Sequence, residues 1–319
     1  MSSAAARVLV AAALSTVPAS AHAADFPRKP IRIVTADAGG GSDFVARLIG
    51  LGWTAMWGRQ VVVDNRGGGT IAGEIVAHAA ADGYTLLYYG STFWLLPLMR
   101  KQMPYDAARD FAPVTLAVAT PAVLVVHPAV AARSVRELIA LAKARPGQLN
   151  YASAAAGTAT HLAAELFKSM AGVDFVRVPY KGTGAALNDL LGGQTQLMFA
   201  VAASVVPHVK AGRLRALGVT GAQPSAALPD VPTIAAAGVP GYEAVQYSGL
   251  FAPTRTPAAI VELLSRAAAT VLNRSETRER LYNLGVEVVG STPAEFAAKI
   301  RSEVGVLGNV IRDAGIQAD

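Results

Sequence analysis

Two short apolar strands in this chain each run into a loop of small residues and then into a helical pattern. The first is Ile31-Arg32-Ile33-Val34-Thr35-Ala36-Asp37-Ala38-Gly39-Gly40-Gly41-Ser42-Asp43. The second is Leu149-Asn150-Tyr151-Ala152-Ser153-Ala154-Ala155-Ala156-Gly157-Thr158-Ala159-Thr160-His161. Small residues let the backbone come close to a ligand. The unpaired N–H groups of a helix's first turn, with its positive dipole end, favour an anion. Two such elements, far apart in sequence, point to a small carboxylate held between two lobes.

The surrounding pattern places both loops on α/β units. Strands are predicted at 31–35, 60–64 and 84–89, with helices at 44–57 and 71–80 between them, an alternation that gives a parallel sheet flanked by helices. Ligands bind such sheets beyond the carboxyl ends of the strands, where Gly39–Asp43 and Gly90-Ser91-Thr92 both fall. A second unit begins near Ala119, with strands at 123–127, 150–152, 175–179, 197–199 and 214–219. Its helices are predicted at 134–144, 158–170, 185–191 and 205–211, the first opened by a Ser134–Glu137 capping box. A Pro/Gly/Ala-rich loop at 223–242 holds a short helix at 233–237. Strand 245–251 returns the chain to the first lobe. Thr256-Pro257 and Thr292-Pro293-Ala294-Glu295 open the two last helices, the latter as a capping box. Crossovers near 113–118 and 247–251 suit hinge closure around a ligand.

Bulk properties set the compartment and exclude several functions. Residues 1–23 read as a secretory leader: Arg7, an apolar run from Val8 to Leu14, and the small-x-small site Ala21-His22-Ala23, with cleavage near Ala23. There is no cysteine, hence no disulfide framework, metal thiolate or lipidated N-terminus. Without Arg7, 27 basic residues face 22 acidic ones, a net charge of +5. The basic residues are scattered with no interleaved aromatics, which fits mild attraction for anions and not nucleic-acid binding.

The sequence has no Gly-x-Ser-x-Gly elbow, no phosphate-binding loop ending in Gly-Lys-Ser/Thr, no histidine spacing suited to a metal, and Phe44 where a Gly-x-Gly-x-x-Gly fingerprint needs glycine. No catalytic residue, cofactor or metal is therefore assigned. The candidate ligand-binding residues are Ala38, Gly39, Gly40, Gly41, Ser42, Ser91, Thr92, Ser153, Gly157, Thr158, Thr183 and Gly184, with Trp94, His161 and Lys181 as further contacts. Each has a plainer alternative. The glycines can simply make a turn, and Ser153, Thr158 and Thr160 can cap. Phe93 and Trp94 can pack in the core, as can Trp53 and Trp57, and Lys181 can be a solvated charge. His161 reads first as a structural hydrogen-bonding residue, and Asp43 as a cap, because a carboxylate repels an anionic ligand.

Several motifs, taken together and in order, resemble the periplasmic receptors of tripartite tricarboxylate transporters, often called Bug receptors. They are Pro30-Ile31-Arg32-Ile33-Val34 with Gly39–Asp43, Val61-Val62-Val63-Asp64-Asn65-Arg66, Asp82-Gly83-Tyr84-Thr85-Leu86-Leu87, and Pro104-Tyr105-Asp106 with Asp110-Phe111-Ala112-Pro113-Val114. Leu149–Ser153, Val178-Pro179-Tyr180-Lys181-Gly182 and Leu228-Pro229-Asp230-Val231-Pro232-Thr233 complete the set. The resemblance implies a two-lobed, type II-like Venus flytrap, each lobe a mostly parallel sheet flanked by helices. Lobe 1 is expected to comprise 24–118 plus 247–319, and lobe 2 to comprise 119–246. It further implies an exported monomer that binds a small carboxylate through backbone amides of both lobes and passes it to a membrane permease. A ligand sensor for a signalling partner and a periplasmic enzyme are the alternatives. Two stretches depart from the family pattern: Thr35-Ala36-Asp37-Ala38 replaces a Pro-Phe-Pro-like run, and Ala200-Val201 stands where relatives carry Asp or Asn. A more apolar second lobe is expected from the latter.

Overall fold

A computed structural model of the chain describes residues 26–36, 38–67, 70–225 and 227–318. The expected leader, 1–23, lies outside them, as does Asp37 of the first loop. The first half carries β1 (Ile31–Thr35), α1 (Gly41–Trp57), β2 (Val61–Asn65), α2 (Ile71–Ala77), β3 (Thr85–Gly90) and the one-turn α3 (Thr92–Leu95). Next come β4 (Phe111–Val126), α4 (Val135–Ala144), β5 (Leu149–Ser153), α5 (Ala159–Ala171), β6 (Phe175–Pro179), α6 (Thr183–Leu191), β7 (Leu197–Val201), α7 (Ala202–Lys210) and β8 (Arg215–Val219). The chain ends with α8 (Ile234–Ala237), β9 (Val245–Pro253), α9 (Ala258–Leu272), α10 (Ser275–Asn283), β10 (Glu287–Val288) and α11 (Pro293–Asp313).

The strands run in the order β2-β1-β3-β9-β4-β7-β5-β6, with β10 and β8 also on β4. This makes two α/β lobes. β2, β1 and β3 are parallel to one another, and so are β6, β5 and β7. Every antiparallel pair involves β4 or β9. Each lobe is thus parallel on its outer side and antiparallel toward the middle, which corrects the expectation of mostly parallel sheets.

The predicted crossovers are themselves strands. β4 is 16 residues long, about 50 Å at a strand's rise. Residues Phe111–Pro121 pair with β9, and Ala122–Val126 pair with β7. Pro113 and Pro121 both fall within this strand. Pro113 is accommodated where β4 is irregular, with register shifts between Pro113 and Thr115 and between Leu116 and Val118, and Pro121 is the last residue paired with β9 before β7 takes over at Ala122.

Alternation along the strands sorts side chains into different cores. Ile31, Ile33, Leu86 and Tyr88 join Val45, Ile49 and Trp53 of α1 and Leu264 of α9. Val34 and Leu87 point the other way, into a cluster that also holds Leu124, Val126, Tyr151, Phe167, Phe251 and Phe296. That cluster is continuous across both lobes, whereas on the opposite face the second lobe has its own cluster, centred on Val123, Val125, Met198 and Val205. Each fully buried Phe or Leu here contributes about 1.5–3 kcal/mol. α11 packs on α3, α9, β4 and α5, so it touches elements of both lobes.

Two caps differ from expectation. Ser134 accepts the Glu137 N–H, but the Glu137 carboxylate turns to the N–H of Arg133 (2.7 Å), so the box is half made. Pro257, not Thr256, caps α9, and the buried Thr256 hydroxyl has no hydrogen-bond partner. The Thr292–Glu295 box is complete.

Candidate functional site

The first loop joins β1 to α1. Gly39 has φ +79°, Gly40 caps the helix in extended conformation, and helical bonding begins with the Phe44 N–H donating to Gly40 O at 3.0 Å. The N–H groups of Gly41, Ser42 and Asp43 therefore precede the first intrahelical acceptor. Asp43 is 5 % exposed and its side chain turns back onto the loop. It accepts from Gly39 N–H at 2.9 Å, Asn65 Nδ2 at 2.9 Å and Arg47 Nε at 2.9 Å. Burial alone would raise its pKa, but the Arg47, Gly39 and Asn65 hydrogen bonds outweigh it and hold the carboxyl below its usual value. Asp43 is thus a loop-fixing residue. Ala38, Gly39, Gly40 and Gly41 are exposed, and a Cβ at Gly39 or Gly41 would meet nothing within 4 Å.

The second loop joins β5 to α5. Gly157 has φ +74°, Thr158 caps the helix in extended conformation, and helical bonding begins with Leu162 N–H to Thr158 O at 2.9 Å. The Gly157 N–H donates to His161 Nδ1 at 3.0 Å. The two loops share one construction: a left-handed glycine just before the cap donates its N–H to the side chain of the third helical residue. This equivalence was not visible as a sequence repeat, because Asp43 and His161 have nothing in common but an acceptor atom.

The second loop is otherwise the more enclosed. His161 is 4 % exposed and lies parallel to the Tyr151 ring, 6.5 Å away. Burial, then the charge of Arg177, lowers its pKa to about 4, so the ring is neutral near neutral pH. Tyr151 OH donates to Glu165, which also pairs with Lys168 at 3.1 Å. Several polar groups in the loop are engaged locally. The Ser153 hydroxyl donates to Ala154 O at 3.1 Å and accepts from Arg177 Nε at 3.3 Å. The Thr158 hydroxyl donates to Ala155 O at 3.0 Å. The first-turn N–H groups of Ala159, Thr160 and His161 remain ahead of any intrahelical acceptor. Gly157 also abuts the end of the first lobe's α3 segment, since a Cβ there would come within 2.7 Å of Met99 Sδ.

The structure brings Ser91 and Thr92 against α5. With Leu95, Ala159, Leu162 and Glu303 they line a seam whose cavity is only about 10 Å³, at the lower limit of what one water needs. The Ser91 hydroxyl is engaged with the Tyr247 backbone, donating to its carbonyl at 3.2 Å and accepting from its N–H at 3.0 Å. Trp94 belongs to the core: it is 4 % exposed, packs on Phe251 and Phe296, and donates Nε1–H to Glu303 Oε2 at 2.9 Å. Phe93 is likewise buried among Tyr105, Phe111 and Phe251. Thr183 and Gly184 open α6 at the exposed surface, and Lys181 beside them has no ion-pair partner among the described residues. Among the described residues, none of these three makes a hydrogen bond or ion pair to either glycine loop. Ala200 is fully buried and Val201 caps α7, so the end of β7 presents no polar side chain; Ser204 donates to Val201 O at 2.7 Å.

Three contributors escaped the sequence reading. Asn65, at the end of β2, donates to Ala36 O at 2.9 Å as well as to Asp43. Arg177, on β6, donates to Ala154 O at 2.8 Å. In each lobe, then, the edge strand braces the loop that leaves its neighbour. Glu303, at the seam, has a carboxyl pushed up to about 7 by burial, against the Trp94 hydrogen bond and the charge of Lys299 and with that of Glu243. Two larger grooves, of about 770 and 800 Å³, contain no predicted site residue; one lies beside Met99, Arg312 and Ile316, the other beside Val261, Ser265 and Pro293. Among the described residues no three His, Asp or Glu side chains are arranged to hold a metal.

Known proteins of this construction can now be set beside it. Residues 45–316 match the family described as Tripartite tricarboxylate transporter family receptor. The chain is 35% identical over 314 residues to Protein BugT of Bordetella pertussis, covering 97% of this chain and 95% of that protein. Among solved structures it is similar to R. palustris Rpa4515 with adipate (35% identity, TM-score 0.76, covering 92% of this chain and 99% of that one). It is also similar to MatC from Rhodopseudomonas palustris with bound malate (32% identity, TM-score 0.72, covering 90% and 100%). The shared two-lobed fold and a match over most of the chain lead to one conclusion: this chain belongs to the tripartite tricarboxylate transporter receptor family.

Proposed function

We propose that this chain is a periplasmic receptor that captures a small carboxylate between its lobes and passes it, chemically unchanged, to a membrane permease. Lobe 1 comprises 24–118 and 247–319, lobe 2 comprises 119–246, and the leader is removed near Ala23. The observation that carries this reading is the repeated loop construction, which presents first-turn N–H groups at the carboxyl ends of β1 and β5. That two relatives were solved with adipate and malate supports a carboxylate as the ligand class.

In this reading one carboxylate meets the N–H groups of Gly41 and Ser42, with Ala38, Gly39 and Gly40 letting it approach. The other lobe offers Ala159 and Thr160, with Ser153, Gly157 and Thr158 shaping the loop and His161 fixing it. Thr92, Thr183, Gly184 and Lys181 close on the ligand from the flanks. Closure excludes water and strengthens each hydrogen bond. The protein acts as a monomer, and its contact with the permease is transient.

A melting-temperature screen of the purified chain against mono-, di- and tricarboxylates tests the reading. A saturable rise for one carboxylate class, with the ligand recovered intact, is expected; a ligand at a hundred times its Kd adds ~2.7 kcal/mol. No rise with any carboxylate, or recovery of an altered one, overturns it.

A further inference from the structure

The second lobe has another cavity at the end of its sheet remote from the glycine loop. Here β4 leaves the sheet and β5 and β7 enter it, about 15 Å, one strand length, from the carboxyl ends. The cavity is about 330 Å³, and His127, Arg145, Gln148, Gly193, Thr195 and Gln196 are among its lining residues. That volume is at the small end of ligand sites.

Its chemistry is one-sided. Thr195 is 1 % exposed, and its Oγ1 is buried without a hydrogen-bond partner. A buried hydroxyl in that state is destabilising until an acceptor reaches it. By contrast, the hydroxyls of Ser91 and Ser153 at the other end of the strands all have partners. Arg145 is exposed and has no carboxylate within reach among the described residues. His127 Nδ1 accepts from the Ala129 N–H at 3.2 Å, so Nε2 carries an N–H and is a donor. The ring lies over Gly193, whose φ is +74° and where a Cβ would stand 3.4 Å from His127 Cε1. The Gln196 Oε1 is already taken by the Asn150 N–H at 2.9 Å. No aspartate or glutamate lines the cavity. A guanidinium and an imidazole N–H around a small volume, with an unengaged hydroxyl buried in its wall, are a donor set for an oxyanion.

We propose that this cavity is a second ligand site, for a small oxyanion such as phosphate or a short monocarboxylate, separate from the cleft between the lobes. Its test is independent of the cleft reading. Inorganic phosphate and acetate are titrated separately into the purified chain at constant pH and ionic strength, and the His127 imidazole resonances, assigned with His127→Asn, are followed by NMR. A saturable shift of His127 with no matching shift of the exposed His78 is expected. Arg145→Ala and Thr195→Val should each weaken the response by about tenfold, the scale of one hydrogen bond to a charged group. Thr195→Val should melt no lower than the parent, since it removes a hydroxyl that bonds to nothing. A response to phosphate alone identifies phosphate as the ligand, and a response to acetate extends the site to carboxylates. Parallel movement of His78 and His127, or unchanged affinity in both variants, overturns the proposal and leaves an adventitious ion only.

Discussion

The two glycine loops solve one problem with opposite chemistry. In the first, the acceptor for the glycine N–H is an ionised carboxylate, Asp43, neutralised by Arg47 and steadied by Asn65. In the second it is a neutral imidazole, His161, with the Arg177 guanidinium nearby and no ionised carboxylate on the loop itself. The first loop faces open space, while the second is packed against Met99 and the Glu303 seam. The geometry of the helix start is therefore conserved between lobes while its electrostatics are not. The second loop presents its N–H groups without a negative charge in the first turn, and it is the more favourable of the two for an anion.

Substitutions can break this contrast, beginning with the largest effect. Glu303 is pushed from 4.5 up to about 7 by burial, so it favours folding below pH 4.5, and that contribution is lost as the pH rises through 7. Glu303→Gln keeps an acceptor for Trp94 and should raise stability by roughly 3 kcal/mol near pH 8, with little change near pH 4.5; urea melts at both pH values check this. Asp43→Ala strands the Gly39 N–H, Asn65 and Arg47 together and should cost about 2–3 kcal/mol, with a matching loss of carboxylate affinity by calorimetry. His161 works in the other pH direction. Its pKa falls from 6.5 to about 4 on folding, so its contribution is complete above 6.5 and disappears as the pH drops toward 4. His161→Asn should remove roughly 2 kcal/mol of the wild-type stability loss between neutrality and pH 5, whereas the first loop should show no transition in that range. Gly39→Ala meets only the left-handed backbone and should cost about 1–2 kcal/mol; Gly157→Ala, which must also displace Met99, should lie at the upper end of that range or beyond. Equal costs would mean the second loop is not packed against its neighbour.

Much of this was legible in the sequence because it is local. Small residues after a β-branched run, and Thr292 with Glu295, act within a few positions. The edge-strand braces were not legible. Asn65 and Arg177 act on loops 22 or more residues away, through strand pairings that no spacing encodes. Trp94 could have faced ligand or core, and the decision was made by Glu303, 209 residues later in the chain. Residues 113–118 read as a crossover between lobes, and only pairing with β9 makes that segment a strand.

β4 and the core it carries have a consequence for how the molecule unfolds. One strand contributes its first part to one lobe and its last five residues, Ala122–Val126, to the other, while a single apolar cluster runs beneath both. Neither lobe can lose its sheet without freeing the strand that completes its neighbour's. Two-lobed chains joined by loose linkers melt in separate steps; here calorimetry should show one cooperative transition whose van't Hoff and measured enthalpies agree. The lobes then move against one another as parts of a single folding unit, and a destabilising change in either is felt by both.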